Sequence, residues 1–159
     1  GSGERGAGSG ERGAGSGDGW ERQWRARVRA MQSALPYRKL EVWHLAQDLA
    51  EEVLRVARRR PIRDEEWFRD QICGAAMSVS ANIAEGNGRS TPLDYASFVD
   101  RARSSLFELD CWLDMARRQS WIQPVEYDRF AERIDRLSAG LFQLARSLRT
   151  RRNLPSREA

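Results

Sequence analysis

Between Ser78 and Thr91 the chain reads "SVSANIAEGNGRST". Small residues surround one Asn and one Glu, and Gly-Asn-Gly-Arg closes the run. A glycine loop that cradles phosphate needs a preceding strand and, in the nucleoside-triphosphatase kind, a Gly-Lys-Ser/Thr ending. Neither is present. Upstream, Phe68, Ile72, Ala75, Val79 and Ile83 recur at helical spacing within roughly Glu66 to Glu85. Gly86 falls where that stripe stops, and Asn87-Gly88 suits the left-handed conformation that closes a helix. Thr91 then suits an N-cap, Pro92 the first helical position and Asp94 the place of a capping-box carboxylate. The stretch is read as helix stop, turn and helix start.

Working outward from it, the next segment carries Tyr95, Val99, Ala102, Leu106, Leu109, Leu113 and Ala116 in alternating steps of four and three. A further one repeats the pattern with Tyr127, Phe130, Ile134, Leu137, Leu141, Leu144 and Leu148. Before the opening stretch, Val42, Leu45, Leu49, Val53 and Val56 form another stripe, which Pro61 ends. No strand signal competes. Helices of similar length joined by short connections lie antiparallel, so the expected fold is all-α: an up-down-up-down four-helix bundle over residues 37–150.

The flanks differ in kind. Residues 1–19 repeat "GSGERGA" twice and place glycine where a coiled-coil seam would need apolar groups, so they read as a flexible tail, a linker or an expression remnant. Residues 20–36 read as a basic amphipathic extension, with Trp20, Trp24, Val28 and Met31 on one stripe and Arg22, Arg25, Arg27 and Arg29 between them. Residues 151–159 form a basic C-terminal tail. At 159 residues the chain suits one domain. It shows no membrane span or signal-like core, and the expectation is a soluble cytoplasmic protein. Cys73 and Cys111 lie in helical segments without metal-type spacing, which predicts buried reduced thiols. The formal charge is +4, carried by arginine with Lys39 the only lysine, a balance that hints at an anionic partner.

Enzymatic readings find no support in the residue types. A di-iron bundle needs two Glu-x-x-His pairs, and Glu41/His44 is one pair containing the only histidine. Neither cysteine and no serine has a base partner by sequence logic. No cofactor or metal is expected. Trp43, Phe98, Phe107, Trp112 and Trp121 fall beside or between the seams, and such off-seam aromatics predict a subunit interface.

Three motifs together resemble the small bacterial four-helix-bundle family first noted in intervening sequences of 23S rRNA genes. They are "LEVWHLAQDLA" at 40–50; Ser78 with Asn82, Ile83, Ala84, Glu85 and Gly86; and Phe98, Ala102, Arg103, Ser105, Leu106, Glu108 and Leu109. The resemblance covers roughly Tyr37 to Arg149. It departs at Ser104, where the family often has Gly, and at His44, where Gln is common. It implies a non-enzymatic protein that assembles as a ring, typically a homopentamer. It also implies a relative, the accessory variability protein of diversity-generating retroelements, which binds nucleic acid and its reverse transcriptase. Ser78, Asn82, Glu85 and Gly86 are taken as a structural motif, with Asn82 and Glu85 bonding a neighbouring helix or turn.

Arginines cluster at helix C-termini, where cations offset the macrodipole without any ligand. Antiparallel topology divides them between two poles. Arg58, Arg59, Arg60, Arg117 and Arg118 share one with Asp64, Glu65, Glu66, Glu126 and Asp128, and nearly cancel. Arg38, Lys39, Arg89, Arg146, Arg149, Arg151 and Arg152 gather at the other, opposed mainly by Glu41, Glu85 and Asp94. That pole, where the basic extension also enters, is the expected nucleic-acid-binding surface. A protein-only scaffold that docks a partner enzyme such as a reverse transcriptase is the alternative.

Overall fold

The computed structural model describes residues 17–151. Most of the glycine-rich segment and the C-terminal tail, Arg152 included, lie outside the described residues. Five α-helices and no strand are found among the described residues: α1 Gly17–Ala34, α2 Glu41–Ala57, α3 Glu66–Asn87, α4 Pro92–Arg118 and α5 Pro124–Arg151. Short 3-10 turns, Pro36–Lys39 and Ile62–Asp64, precede α2 and α3. None of the helices is long and apolar enough to cross a membrane.

The chain divides into two units, Gly1–Ala34 and Leu35–Ala159. In the first, α1 is amphipathic as its spacing predicts. Trp20, Trp24 and Met31 are exposed along one stripe, and Glu21 pairs with Arg25 at 2.6 Å.

In the second, α3 packs on both α2 and α4, α4 packs on α5, and α5 returns to α2. Residue pairs give the direction. Gly86 lies against Phe98 while Ser78 meets Ser105, so α3 and α4 run antiparallel. Tyr127 bonds Asp110 while Arg103 bonds Ser138, which does the same for α4 and α5. Arg59 pairs with Glu126 and Arg136 with Glu41, which orders α2 against α5. Each predicted stripe faces inward. Leu106, Leu109 and Leu113 have no accessible surface, each contributing about 1.5–3 kcal/mol relative to exposure.

The helix boundaries follow local chemistry. Thr91 Oγ1 accepts the Asp94 backbone N–H at 3.2 Å, with Pro92 in the first turn, so α4 starts as expected. At its other end Ser120 N–H bonds the Arg117 carbonyl and Trp121 N–H the Ala116 carbonyl, at 2.9 and 2.8 Å. This is a Schellman closure with Ser120 at φ 58°, a left-handed position that usually falls to glycine.

The end of α3 corrects the sequence expectation. Gly86 lies inside the helix, which runs to Asn87, and Gly88 closes it in a right-handed conformation with φ −80°. Gly88 N–H bonds the carbonyls of Ala84 and Glu85, so no left-handed cap is needed. Gly86 serves close approach instead. A Cβ there would sit 2.6 Å from Phe98 Cβ and 2.9 Å from Tyr95 Cδ2.

Two further expectations are corrected. Trp43 and Phe98 are buried within the single chain, at 8% and 6% exposure, and do not stand free for a subunit interface. Trp43 packs edge-on against Tyr37, and Phe98 lies beneath the guanidinium groups of Arg89 and Arg101. The core-facing stripe is wider than the heptad positions alone. Cys111 is exposed rather than buried, because it falls between the inward positions Leu109 and Leu113. Cys73 is half-buried, and that burial raises its thiol pKa.

Candidate nucleic-acid interface

Two of the three motifs meet at the α3–α4 contact and its continuation onto α5, while the first lies on α2, where Gln47 Oε1 accepts the Ser80 hydroxyl of α3 at 3.1 Å. Asn82 Nδ2 donates one turn back to the Ser78 carbonyl at 2.8 Å and to Ser78 Oγ at 3.0 Å. Ser78 Oγ in turn meets Ser105 Oγ of α4 at 2.9 Å, a polar link between two helices of small residues. Glu85 takes another path, pairing with Arg89 at 2.7 Å across the turn. Gly86 allows the approach that seats Phe98, and Arg103 of the third motif donates Nε–H to Ser138 Oγ of α5 at 3.2 Å. Asn82 therefore bonds its own helix rather than a neighbouring one, and the links between helices are Ser78–Ser105, Gly86–Phe98 and Arg103–Ser138.

That register brings the start of α2, the end of α3, the start of α4 and the end of α5 to one end of the unit. The Gly140 position sits 2.9 Å from Val42 if given a Cβ, which sets the first turn of α2 beside α5. Arg149 of α5 pairs with Asp100 of α4, and Asn87 donates to the Tyr95 hydroxyl at 3.3 Å.

Six of the seven expected basic residues at this end are described, and they are not equivalent. Arg89 is occupied by Glu85 and Arg149 by Asp100, an acid absent from the sequence-based charge balance. Arg38 lies over the rings of Tyr37 and Trp43, at 5.6 and 5.3 Å, and its buried Nε has no hydrogen-bond partner. Lys39, Arg146 and Arg151 are exposed and have no acidic partner among the described residues. Glu41, counted as an opposing acid, instead reaches Arg136 at 3.0 Å. His44 anchors the same region by donating Nε2–H to the Arg38 carbonyl at 2.6 Å. Both members of the one Glu-x-x-His pair are thus engaged by other groups.

The opposite end carries as many arginines and pairs most of them. Arg59 bonds Glu126 at 2.7 Å and Arg60 reaches Asp64 at 3.2 Å. Arg117 and Arg118 share Asp114, at 2.6 and 2.7 Å. Hydrogen bonds from Arg118 and then Arg117 hold the Asp114 carboxyl below the usual carboxylate range.

Two exposed aromatic patches complete the surface. Near the paired end an open groove is lined by Trp67, Phe68, Trp112, Met115 and Trp121, with Glu65 at its rim. Trp67 is 67% exposed and meets Trp112 edge-on at 5.5 Å. Trp112 and Trp121 therefore belong to one patch, as partly buried residues packed against the core. Sequence reasoning missed Trp67, whose position beside the inward Phe68 was the available signal. Phe107 belongs to a second patch on the outer seam of α4 and α5, with Phe142 and Arg103. Phe142 was also missed, although Ser138, Phe142, Arg146 and Arg149 follow one another at steps of four, four and three on a single face of α5.

Comparison with known proteins agrees with this architecture. A family model described as 23S rRNA-intervening sequence protein matches residues 38–143. Among solved structures, a protein of unknown function from the S23 ribosomal protein family of Bacteroides thetaiotaomicron is similar, with a TM-score of 0.60 and 18% identity. The similarity covers 65% of this chain and 97% of that one, and it concerns the fold alone. No curated protein matches.

Proposed function

The chain belongs to the 23S rRNA-intervening sequence protein family, and from that premise we propose that it is a non-enzymatic accessory protein that binds nucleic acid through one basic end. In this reading α2–α5 form an up-down-up-down four-helix bundle, copies of which assemble into a ring, as a homopentamer, in the cytoplasm. Ribosomal RNA or the nucleic acid handled by a reverse transcriptase is the class of ligand. The observation that carries the reading is the difference between the two ends. Among the described residues, Lys39, Arg146 and Arg151 lack acidic partners where Arg59, Arg60, Arg117 and Arg118 have them.

The physical mechanism is counterion release. Cations held near phosphates displace the condensed ions of the polyanion, so binding weakens linearly in the logarithm of salt concentration and carries little sequence preference. A ring of identical subunits would present the same end on the same side, and several weak contacts would then act together.

Titration of labelled single- and double-stranded oligonucleotides at two salt concentrations tests the proposal. Replacing Lys39, Arg146 and Arg151 by Gln should lower affinity by about tenfold or more and reduce the salt slope by about 2–3. The same change at Arg58, Arg59 and Arg60 should do much less. Absence of binding by the unaltered protein at low salt refutes it.

A second reading has its own support. The tryptophan groove, with Glu65 at its rim, suits a protein surface better than a polyanion. Here the groove would be the contact between subunits or the dock for a partner enzyme such as a reverse transcriptase. Light scattering on the unaltered protein and on Trp67→Ala separates the two roles, since a subunit contact requires the subunit number to fall.

A further inference from the structure

The two exposed aromatic patches of the α2–α5 unit differ in the charge of their surroundings. The tryptophan groove has Glu65 and Gln119 as its polar lining residues and no cation among them. The patch on the outer seam of α4 and α5 is organised around a cation. Phe107 and Phe142 are 49% and 48% exposed, and the Arg103 guanidinium lies 5.2 Å from the centroid of each. Ser138 Oγ accepts the Arg103 Nε–H at 3.2 Å, which tethers that guanidinium beside the two phenylalanines. Its remaining N–H groups have no partner among the described residues. One turn along α5 from Phe142, a hollow of about 280 Å³ is lined by Phe142, Arg146, Arg149 and Thr150.

We propose that this seam is a stacking platform for the unpaired bases of a single-stranded nucleic acid, with Phe142, Phe107 and Arg103 receiving base faces and Arg146 the adjoining phosphate. The inference rests on the nucleic-acid reading above and narrows it to a strand type. Every base has a π face that stacks on an aromatic side chain or on a guanidinium plane, whatever its sequence. A duplex keeps those faces inside its own stack and can use only the arginines. Phe142 and Arg146 are four residues apart, about 6 Å along the helix, a separation that suits a base and the phosphate of the same strand. Charge complementarity selects this occupant over a second apolar surface. The patch is built around Arg103 and continues into Arg146, and neither has an acidic partner among the described residues.

The test compares a labelled homopolymeric single strand with a duplex of equal length, at low salt, on the full chain. Phe142→Leu and the double variant Phe107→Leu/Phe142→Leu keep an apolar, helix-compatible side chain and remove the π face, and thermal melting followed by circular dichroism confirms that each is folded. Single-strand affinity should fall about tenfold per phenylalanine removed, with duplex affinity and the salt slope unchanged. Arg146→Gln should weaken both ligands. Unchanged single-strand affinity in the double variant overturns the platform, and so does an equal loss for both ligands. A fall in subunit number on light scattering would assign the patch to an interface between copies and also overturn it. Failure of the unaltered protein to bind either ligand would instead remove the nucleic-acid reading itself.

Discussion

The two ends of the α2–α5 unit use the same residue type to different effect. At one end Arg59, Arg60, Arg117 and Arg118 each touch a carboxylate, and at the other Lys39, Arg146 and Arg151 touch none among the described residues. Helix dipoles do not explain the difference. Both ends collect two helix C-termini, where a cation gains about 0.3–1 kcal/mol from the macrodipole, so the dipole accounts for arginine at both. What differs is the supply of acids, from Asp114 on α4 itself, which holds Arg117 and Arg118, and from the neighbouring helix starts. At the paired end, Asp64 and Glu126 lie just before and within the first turns of α3 and α5. At the open end the start of α2 contributes Glu41, which turns away to Arg136. An arginine placed for one local reason becomes available to a ligand only when neither its own segment nor a tertiary neighbour supplies an acid.

The comparison can be broken first at Gly86, which sits at the open end with no room for a side chain. Gly86→Ala drives a methyl into Phe98 and Tyr95 and should cost about 1–3 kcal/mol from overpacking, less the helical preference for Ala. The urea midpoint reads this, and a variant as stable as the parent would show that α3 and α4 separate freely there. Gly74, on the same helix with nothing within 4 Å of its Cβ position, is the control, and Gly74→Ala should stabilise.

At the paired end the expected sign is reversed. Ser120 holds φ 58° in the turn after α4, and Ser120→Gly should relieve roughly 1 kcal/mol of left-handed strain, less the added freedom of the unfolded chain. A lower melting temperature would contradict the Schellman geometry as the source of that strain.

A smaller effect sharpens the contrast directly. Asp100→Asn releases Arg149 at the open end. It should cost at most about 1 kcal/mol of stability, as exposed pairs do, and should steepen the salt dependence of duplex binding by about 1. An unchanged slope would mean that Arg149 does not reach phosphate.

The smallest effect is in pH dependence at the paired end. Asp114 is held below the usual carboxylate range by Arg118 and Arg117. A depressed folded pKa gives stability that is present above the unfolded pKa, about 3.9, and lost as pH falls through the folded value. Asp114→Asn should therefore be less stable than the parent at neutral pH, and the gap in urea midpoint should close in strong acid. A gap that persists below pH 2 would assign the loss to packing instead.

Much of the fold was legible in the chain because it rests on short-range order. The stripes Val99 to Ala116 and Phe130 to Leu148 name buried positions, and Thr91-Pro92 marks a helix start, from steps of three and four and from one cap. The site was less legible. Phe107, Trp112 and Trp121 were found as off-seam aromatics, but periodicity could not tell that Phe107 faces Phe142 across Arg103 while Trp112 faces Trp67. Nor could it tell that Trp43 and Phe98 turn inward, since a residue one position off a heptad seam is buried or exposed according to how closely the next helix approaches.

The sequence by itself determined that the chain is helical, where four of its helices begin and end to within a few residues, and that arginines would collect at two poles. These follow from backbone periodicity and capping, which act within a few residues of each other along the chain. The tertiary structure alone decided which arginines are neutralised across separate helices. Arg149 meets Asp100, 49 positions away, and Arg59 meets Glu126, 67 positions away. It also decided that Gly86 is there for Phe98 rather than for a turn. The physical reason is range: a helix and the ion pairs one turn apart along it are set by near neighbours, whereas the pairs that join separate helices form only when the helices pack.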